Sequence, residues 1–296
     1  MTEANPSSCP TAPGSHDRRH AILDWLLCGF PILLVSYVLL AYMILPMVWR
    51  HYEHNPSLTD VPKTTFTAEG FPGDPLNVAL IGSEVEVVRA FLAAGWRPAD
   101  PTTVRSVMRI TESVLLDRSY PTAPMSSLYL WGRRQDLSFE CPHGRSPKHR
   151  HHVRFWLSDK PSPEGRPQWL GAATYDCGVG LSHRTAQVTH HIAPDVDTER
   201  DKVIADLAKA AQLVRVYQVT GVGQEFQGRN GGGDWYYTDG EMTVGVLAES
   251  NQVQVGPPAE LPNPPLVKIK NDAGSWLRRL FVRFGIFQDH RDSSEG

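Results

Sequence analysis

An uninterrupted apolar segment near the N-terminus constrains this chain more than any other feature. Residues 25–49 (WLLCGFPILLVSYVLLAYMILPMVW) contain no charged residue, and Asp24 and Arg50 stand at the two ends. At 1.5 Å per residue, a helix of this length spans a hydrocarbon core of roughly 30 Å with some tilt. The sequence therefore predicts one transmembrane helix within residues 21–50, with the lipid bilayer as its partner.

The direction of this helix depends on a small difference in charge. Two arginines precede the segment at positions 18 and 19, and two basic residues, Arg50 and Lys63, follow it. This is a tie under the positive-inside rule, and the free amino terminus adds one positive charge to the first side. We therefore expect a single-pass protein of the cell membrane, with its tail in the cytoplasm and the following domain outside the cytoplasm.

Composition divides the rest of the chain. Residues 1–20 are polar and rich in Pro and Ser, which predicts a disordered tail, and residues 51–70 are predicted to form a linker. Residues 71–255 have enough apolar content for one globular domain. Residues 256–296 form a proline-rich strap followed by a basic amphipathic helix, which either lies in the membrane interface or packs on the domain.

A net charge of -3 without a basic cluster in the central region argues against a nucleic-acid partner.

The predicted elements indicate an α+β fold. The apolar run over residues 78–81 predicts a buried strand, Ser83 is placed to cap the helix that follows, and Gly95 is placed to end it. A second helix is predicted over residues 102–116, and a third is predicted to begin with a capping box of Thr198 and Asp201. Strands are predicted at residues 128–133, 136–140, 151–157, 169–176, 186–192, 217–226 and 235–247. This order favours a mixed or antiparallel sheet with flanking helices.

Six stretches of the domain carry a family resemblance: DPLNVALIGS, AGWRPADP, APMSSLYLWGRRQDLSFE, RHHVRFW, WLGAATYDCGVG and THHIAPDVDTERD. With these motifs in this order, the domain resembles the LssY C-terminal domain family of bacterial membrane proteins. The matching stretches lie within residues 71–207. The resemblance implies an envelope-associated domain, and it implies no activity or site residues.

Two histidine pairs fall inside predicted strands. If Val and Ile mark the core side, strand alternation points His151 and His190 inward. Imidazoles with nearby carboxylates resemble the ligand set of zinc or another divalent ion. The candidate metal ligands are His151, His190, His191, Asp195 and Asp197.

A structural role is the alternative for these residues. Buried histidines commonly make one or two hydrogen bonds, and Glu199 is placed to complement the dipole of the helix that follows. No spacing in this region matches H-E-x-x-H or another tight metal motif. His143 and His149 are assigned to a solvated loop.

A cationic cluster is the second candidate site. Arg133, Arg134 and Arg154 are interleaved with aromatic residues, a combination that binds anionic lipid head groups or glycans. The alternative is that the aromatic residues belong to the core and the arginines to a solvated face.

No catalytic signature is present among these motifs. The first hypothesis for function is therefore a non-enzymatic binding or assembly module whose partner is an envelope lipid, a glycan or a membrane protein. The second hypothesis is a metal-dependent hydrolase that uses the histidine pairs. Cys141 and Cys177 are either a disulfide or two buried thiols.

Overall fold

The computed structural model covers part of the N-terminal apolar segment and most of the globular domain. The described residues are 25, 29–45, 47, 55–58, 60–99, 103–104, 127–143, 149–183, 188–223, 227–249 and 254–283. The predicted tail over residues 1–20 and the predicted helix over residues 102–116, apart from 103 and 104, lie outside the described residues. The chain divides into two compact units, Met1–Glu53 and His54–Gly296.

The first unit contains helix α1. This helix spans Phe30–Leu39 and continues as π-helical backbone over Leu40–Ile44. Pro31 lies in its first turn, where the missing N–H costs no helical hydrogen bond. Among the described residues, no helix combines the length and the apolar character needed to cross a bilayer. The transmembrane helix within residues 21–50 stays a prediction.

The second unit combines helices with three sheets. Its helices are α2 (Glu84–Ala93), α3 (Val196–Lys209) and α4 (Pro265–Arg283), and a short 3-10 helix spans Pro56–Leu58. Its strands are β1 (Thr64–Phe66), β2 (Pro72–Pro75), β3 (Val78–Ile81), β4 (Arg97–Pro98), β5 (Tyr129–Leu130), β6 (Arg133–Arg134), β7 (Leu137–Pro142), β8 (Arg150–Leu157), β9 (Gln168–Leu181), β10 (Val188–Ile192), β11 (Leu213–Thr220), β12 (Gln227–Arg229), β13 (Trp235–Tyr237), β14 (Glu241–Leu247) and β15 (Ala259–Glu260).

The large sheet has the strand order β15-β11-β14-β3-β9-β8-β7-β4, and β10 pairs with the end of β9. The pairs β3–β14 and β11–β15 are parallel, and the other pairs of this sheet are antiparallel. A small sheet has the order β2-β1-β5-β6, and β12 and β13 form a separate hairpin. The structure confirms the predicted α+β fold with a mixed sheet.

Successive residues of strand β3 enter two different cores. Val78 and Leu80 pack with side chains of α2 and α3, whereas Ala79 and Ile81 pack with Leu130 of the small sheet. This follows from the two-residue period of a strand, which points neighbouring side chains to opposite faces. The large sheet therefore lies between a helical layer and the small sheet. Strand β1 and the fully buried Leu58 also belong to this unit, so the predicted boundary at residue 71 falls inside it.

The turn from β3 into α2 agrees with the prediction. Strand β3 has the predicted bounds, and Ser83 and Glu86 form a reciprocal capping box. The Glu86 amide donates to Ser83 Oγ at 3.3 Å, and the Ser83 amide donates to Glu86 Oε2 at 2.7 Å. Gly95 has a φ of 81° and follows the end of the helix, as a left-handed stop requires.

The predicted start of α3 is wrong. The helix begins at Val196, and the carboxylate of Asp195 accepts a hydrogen bond from the Thr198 amide at 3.2 Å. Thr198 is already inside the first turn. Asp195 is therefore the cap, and its negative charge also interacts favourably with the positive end of the helix dipole.

Candidate functional site

Strand β9 is the element that brings the histidines into position. Its first half pairs with β8, where Tyr175 lies opposite His151 and Asp176 lies opposite Arg150. Its second half pairs with β10, where Gly178 lies opposite His191. Asp176 pairs with Arg150 of β8 and also with Ile192 of β10, so the two strands lie on opposite edges of β9 and come together at this residue.

Strand alternation separates the faces of these histidines. Asp176 lies opposite both Arg150 of β8 and Ile192 of β10, so these three residues share one face of the sheet. His190 lies two residues from Ile192 and shares this face, and its Nε2 lies 3.2 Å from Arg150 Nη2. His151 is the neighbour of Arg150 and faces the other side. The structure does not bring His151 and His190 together.

His191 instead meets Asp234 and His183. Its Nδ1 lies 2.7 Å from Asp234 Oδ1, and His183 Nε2 lies 3.6 Å from the same oxygen. The ring centroids of the two histidines are 5.3 Å apart. Among the described residues, this is the group of three whose nitrogen and carboxylate ligand atoms all lie within 4.8 Å of one another.

Three hydrogen bonds hold Asp234 in place, and its carboxylate accepts two of them. Asp234 Oδ2 accepts hydrogen bonds from the Ile192 amide at 3.2 Å and from Asn230 Nδ2 at 3.3 Å. The Asp234 amide donates to Asn230 Oδ1 at 2.8 Å. Asn230 and Asp234 form the turn between β12 and β13. This leaves Oδ1 directed at the two imidazoles.

His183 has a different environment because its side chain is 61% exposed. Its backbone amide donates to the carbonyl of Gly232 at 2.9 Å, which fixes the main chain next to the β12–β13 turn. Two donors on one zinc ion, with bonds of roughly 2.1 Å, lie at most about 4 Å apart. The contacts of Asp234 Oδ1 with both imidazoles satisfy this limit, and the three ligand atoms all lie within 4.8 Å of one another. The group is therefore a candidate site for a divalent transition-metal ion.

His151 belongs to a second cluster on the helical face. Its Nδ1 lies 2.7 Å from Glu199 Oε2 of α3, and its Nε2 lies 3.2 Å from His143 Nδ1. The ring of Tyr175 lies next to both imidazoles. Burial raises the pKa of Tyr175, and the charge of Glu199 adds to this effect. A carboxylate that accepts from one nitrogen of an imidazole orients the ring and fixes its tautomer.

His190 belongs to a third cluster, which is built on a buried ion pair. Arg150 Nε donates to Asp176 Oδ2 at 3.0 Å, and Arg150 Nη1 donates to Glu140 Oε2 at 3.2 Å. Burial alone would raise the pKa of Asp176, but the adjacent His152 and Arg150 hold it well below its usual range. Burial lowers the pKa of His190, and the nearby Arg150 guanidinium lowers it further. This cluster is a structural network that keeps Asp176 ionised.

The two predicted aspartate ligands have structural contacts. Asp195 is the cap of α3. Asp197 is buried, and its carboxylate accepts from Thr238 Oγ1 at 2.6 Å and from the Asp239 amide at 2.7 Å. Of the five predicted metal ligands, His191 alone belongs to the convergent group of the described residues. The predicted grouping is corrected for this reason, and metal binding by the chain remains a prediction.

The predicted cationic cluster does not form one exposed surface. Arg154 is buried, and its Nη1 donates to Asp74 Oδ2 at 3.0 Å. Arg133 pairs with Asp136 and donates to the carbonyl of Leu157, whereas Arg134 is exposed. The three arginines therefore differ in burial and in charge partners.

Both cysteines of the domain are free thiols. Cys141 and Cys177 are half-buried, and Cys177 Sγ donates to the carbonyl of His191 at 3.3 Å. Burial raises the pKa of Cys177, and the charge of Asp234 raises it further.

Sequence reasoning missed His183 and Asp234. Asp234 ends the glycine-rich GRNGGGD turn, and Asn230 lies four residues before it. In the sequence, the signal for a site here is the pair of polar residues at the two ends of this hairpin turn. No fixed spacing links this turn with His183 or His191, because they lie on a different hairpin.

The fold and these clusters define an α+β domain with a mixed sheet and several histidines along strands β8 and β10. The sequence matches the family model described as LssY C-terminus over residues 58–242, which is more than half of the chain. The chain therefore belongs to this family, and the resemblance predicted from its motifs is confirmed. No curated protein and no solved structure matches the chain.

Proposed function

We propose that this protein is a membrane-anchored binding module of the cell envelope, and that it binds a divalent transition-metal ion at His183, His191 and Asp234. The observation that carries the proposal is the convergence of two imidazoles and one carboxylate at a single point between two hairpins. The predicted transmembrane helix supports the membrane anchor. The family resemblance supports the envelope location.

The ligand atoms favour a particular class of ion. Imidazole nitrogen suits zinc, nickel, cobalt and copper, whereas calcium and magnesium prefer sites made of oxygen atoms. Two nitrogen donors and one carboxylate therefore select a transition metal of the zinc type. An ion at this point would tie the β9–β10 hairpin to the β12–β13 hairpin, and it would give the module a fixed surface for assembly.

Metal titration of the full chain in detergent tests this proposal. The purified protein is stripped with a chelator and titrated with zinc chloride by isothermal calorimetry, and bound metal is counted by mass spectrometry. We expect one zinc ion per chain. Replacement His183→Gln should weaken binding by about tenfold or more, since it removes one direct donor while the exposed side chain leaves the fold intact.

A matched control separates this site from the second histidine cluster. His143→Gln also replaces an exposed histidine, but this residue lies next to His151, outside the proposed group. It should bind zinc as the unchanged chain does. Absence of bound zinc, or weaker binding by His143→Gln with normal binding by His183→Gln, would refute the proposed site.

Membrane extraction tests the anchor separately. After expression, the chain should stay in the membrane fraction through washing with alkaline carbonate, and detergent should release it. A variant that lacks residues 1–50 should not depend on detergent in this way. Release of the full chain by carbonate would contradict the proposed anchor without affecting the metal site.

A metal-dependent hydrolase is the second candidate, and one observation favours it. Catalytic zinc sites use three protein ligands and keep one position for water, and the group described here also has three ligands with an exposed edge at His183. Hydrolysis of p-nitrophenyl acetate and of bis(p-nitrophenyl) phosphate distinguishes the two candidates. Zinc-dependent turnover that His183→Gln abolishes would support the hydrolase, and zinc binding without turnover of either compound would favour the binding module.

A further inference from the structure

Helix α4 has an apolar stripe that the described part of the chain leaves uncovered. Four large side chains of this stripe are exposed by 43–63%, namely Leu266, Ile269, Trp276 and Leu277. Together with Ala273 and Leu280, they recur at helical spacing and occupy an arc of about 100°. Side chains of this type lose favourable burial energy when they remain in water.

A different side of α4 attaches it to the domain. Val267 is buried, and Lys270 Nζ donates to Glu241 Oε1 at 2.6 Å and to the carbonyl of Asp239 at 3.1 Å. Glu241 is fully buried and is the first residue of strand β14. These contacts fix the first turns of α4, so the domain holds the apolar stripe outward along the rest of the helix.

The charges of α4 distinguish among the surfaces that could cover this stripe. Besides Lys270, which is paired with Glu241, the helix contains four basic residues and one acidic residue: Lys268, Arg278, Arg279, Arg283 and Asp272. A symmetric contact between two copies places the same surface against itself and would bring these positive charges together. An anionic bilayer offers apolar chains to the stripe and negative head groups to the basic residues. The indole of Trp276 also suits the boundary between head groups and acyl chains.

We propose that α4 lies in the interface of an anionic lipid bilayer, with Leu266, Ile269 and Leu277 among the acyl chains and Trp276 at their boundary with the head groups. This inference does not depend on the metal site. It gives the domain a second membrane contact in addition to the predicted N-terminal helix. The contact would hold the domain close to the bilayer surface.

An environment-sensitive fluorophore on the full chain tests this contact. The chain is reconstituted at one copy per nanodisc, with either anionic phosphatidylglycerol or zwitterionic phosphatidylcholine. The four cysteines are replaced by alanine, and Ile269→Cys is labelled with nitrobenzoxadiazole. In anionic nanodiscs, we expect a blue-shifted emission and quenching by lipids that carry a doxyl group in the acyl chain. Both effects should weaken in phosphatidylcholine.

Lys268→Cys is the matched control. Residue 268 is exposed and precedes Ile269, but it lies about 100° away around the helix. Its label should keep the emission of an aqueous environment and resist quenching. Equal emission and quenching at positions 268 and 269 would overturn the proposal. A blue shift at position 269 that requires two chains per nanodisc would also overturn it, because a second copy would then cover the stripe.

Hydrogen exchange on the unmodified chain provides an independent measurement if the cysteine-free variant does not fold. Amides of residues 266–280 should exchange more slowly in anionic nanodiscs than in zwitterionic ones. Amides of α2 serve as the internal reference, since this helix packs on the sheet. Equal exchange of residues 266–280 in the two kinds of nanodisc would contradict the proposal.

Discussion

His191 Nδ1 lies 2.7 Å from Asp234 Oδ1, and this contact joins two hairpins whose residues are 43 positions apart in the sequence. His183 approaches the same carboxylate oxygen at 3.6 Å. His191 depends on the paired backbone of β9 and β10, whereas the carboxylate and the main chain of His183 depend on the turn between β12 and β13. The proposed metal site therefore requires the whole arrangement of hairpins, and it is sensitive to changes that leave its three ligands in place.

Gly180→Ala should weaken zinc binding without removing a ligand. A Cβ atom at this position would lie 2.5 Å from His191 Nε2, so the imidazole would have to rotate away from Asp234. Loss of ligand orientation commonly costs about 10–100-fold in metal affinity. Calorimetry of the stripped full chain measures the change.

Gly178→Ala is the control for this substitution. It lies two residues earlier on the same strand, and a Cβ atom there meets nothing within 4 Å. Its zinc affinity should equal that of the unchanged chain. Equal affinity of the Gly180→Ala and Gly178→Ala variants would show that His191 does not bind the ion.

Gly171→Ala should destabilise the sheet at its centre. A Cβ atom at this position of β9 would lie 2.5 Å from Phe155 Cε1 and 2.7 Å from Val78 Cγ1. Both neighbours are fully buried and cannot move aside freely. Excess volume in a packed core typically costs about 1–3 kcal/mol. Thermal unfolding should show a lower melting temperature for Gly171→Ala, and Gly178→Ala should melt with the unchanged chain.

The sequence allowed some parts of this fold to be predicted because their signals are local. The bounds of β3, the cap at Ser83 and the stop at Gly95 depend on residues within one turn of each other. The histidine site depends on long-range pairing. The pairing of Asp176 with both Arg150 and Ile192 places His190 on the face opposite His151, and no local pattern marks this pairing.

The cap of α3 gives a second example of the same limit. Asp195 and Thr198 are both suitable cap residues, and the sequence does not decide which of them precedes the first helical residue. The packing of Val196 against Ile192 and Tyr236 sets the start one turn earlier than predicted. Tertiary contacts therefore decided both the helix boundary and the identity of the candidate ligands.

Asp176→Asn should strongly destabilise the second unit. The substitution removes the main partner of Arg150, whose side chain is only 7% exposed. A buried charge that loses all its partners typically costs about 3–5 kcal/mol, and the cost here should be lower because Glu140 still pairs with Arg150. Glu140→Gln removes the other, more exposed partner and should cost less. Thermal unfolding of the two variants checks the order, and an equal effect would contradict the role assigned to Asp176.

Glu86→Gln should change how stability depends on pH. Burial tends to raise the pKa of Glu86, but the Ser83 amide and the Arg166 guanidinium lower it below its usual value. The folded state therefore favours the ionised form, and this contribution to stability is present above pH of about 4.3 and is lost as pH falls through the lowered pKa. The glutamine variant should be less stable than the unchanged chain at pH 7, and the difference should shrink as pH falls through the lowered pKa of Glu86.

Glu84→Gln is the control for this experiment. Glu84 lies in the same first turn of α2, but it is not the partner of Ser83 in the capping box. Its effect on the melting temperature at pH 7 should be smaller than that of Glu86→Gln. A pH-independent deficit in the Glu86→Gln variant would show that ionisation of Glu86 does not contribute.

X-ray absorption of the zinc-loaded full chain tests the central claim most directly. We predict nitrogen and oxygen neighbours at about 2.0–2.1 Å, with the outer-atom pattern of two imidazoles and no sulfur at about 2.3 Å. In His183→Gln, the pattern should fall to one imidazole. A sulfur neighbour, or a spectrum that stays unchanged when His191 is replaced by Gln, would contradict the assignment of His183, His191 and Asp234 as the metal site.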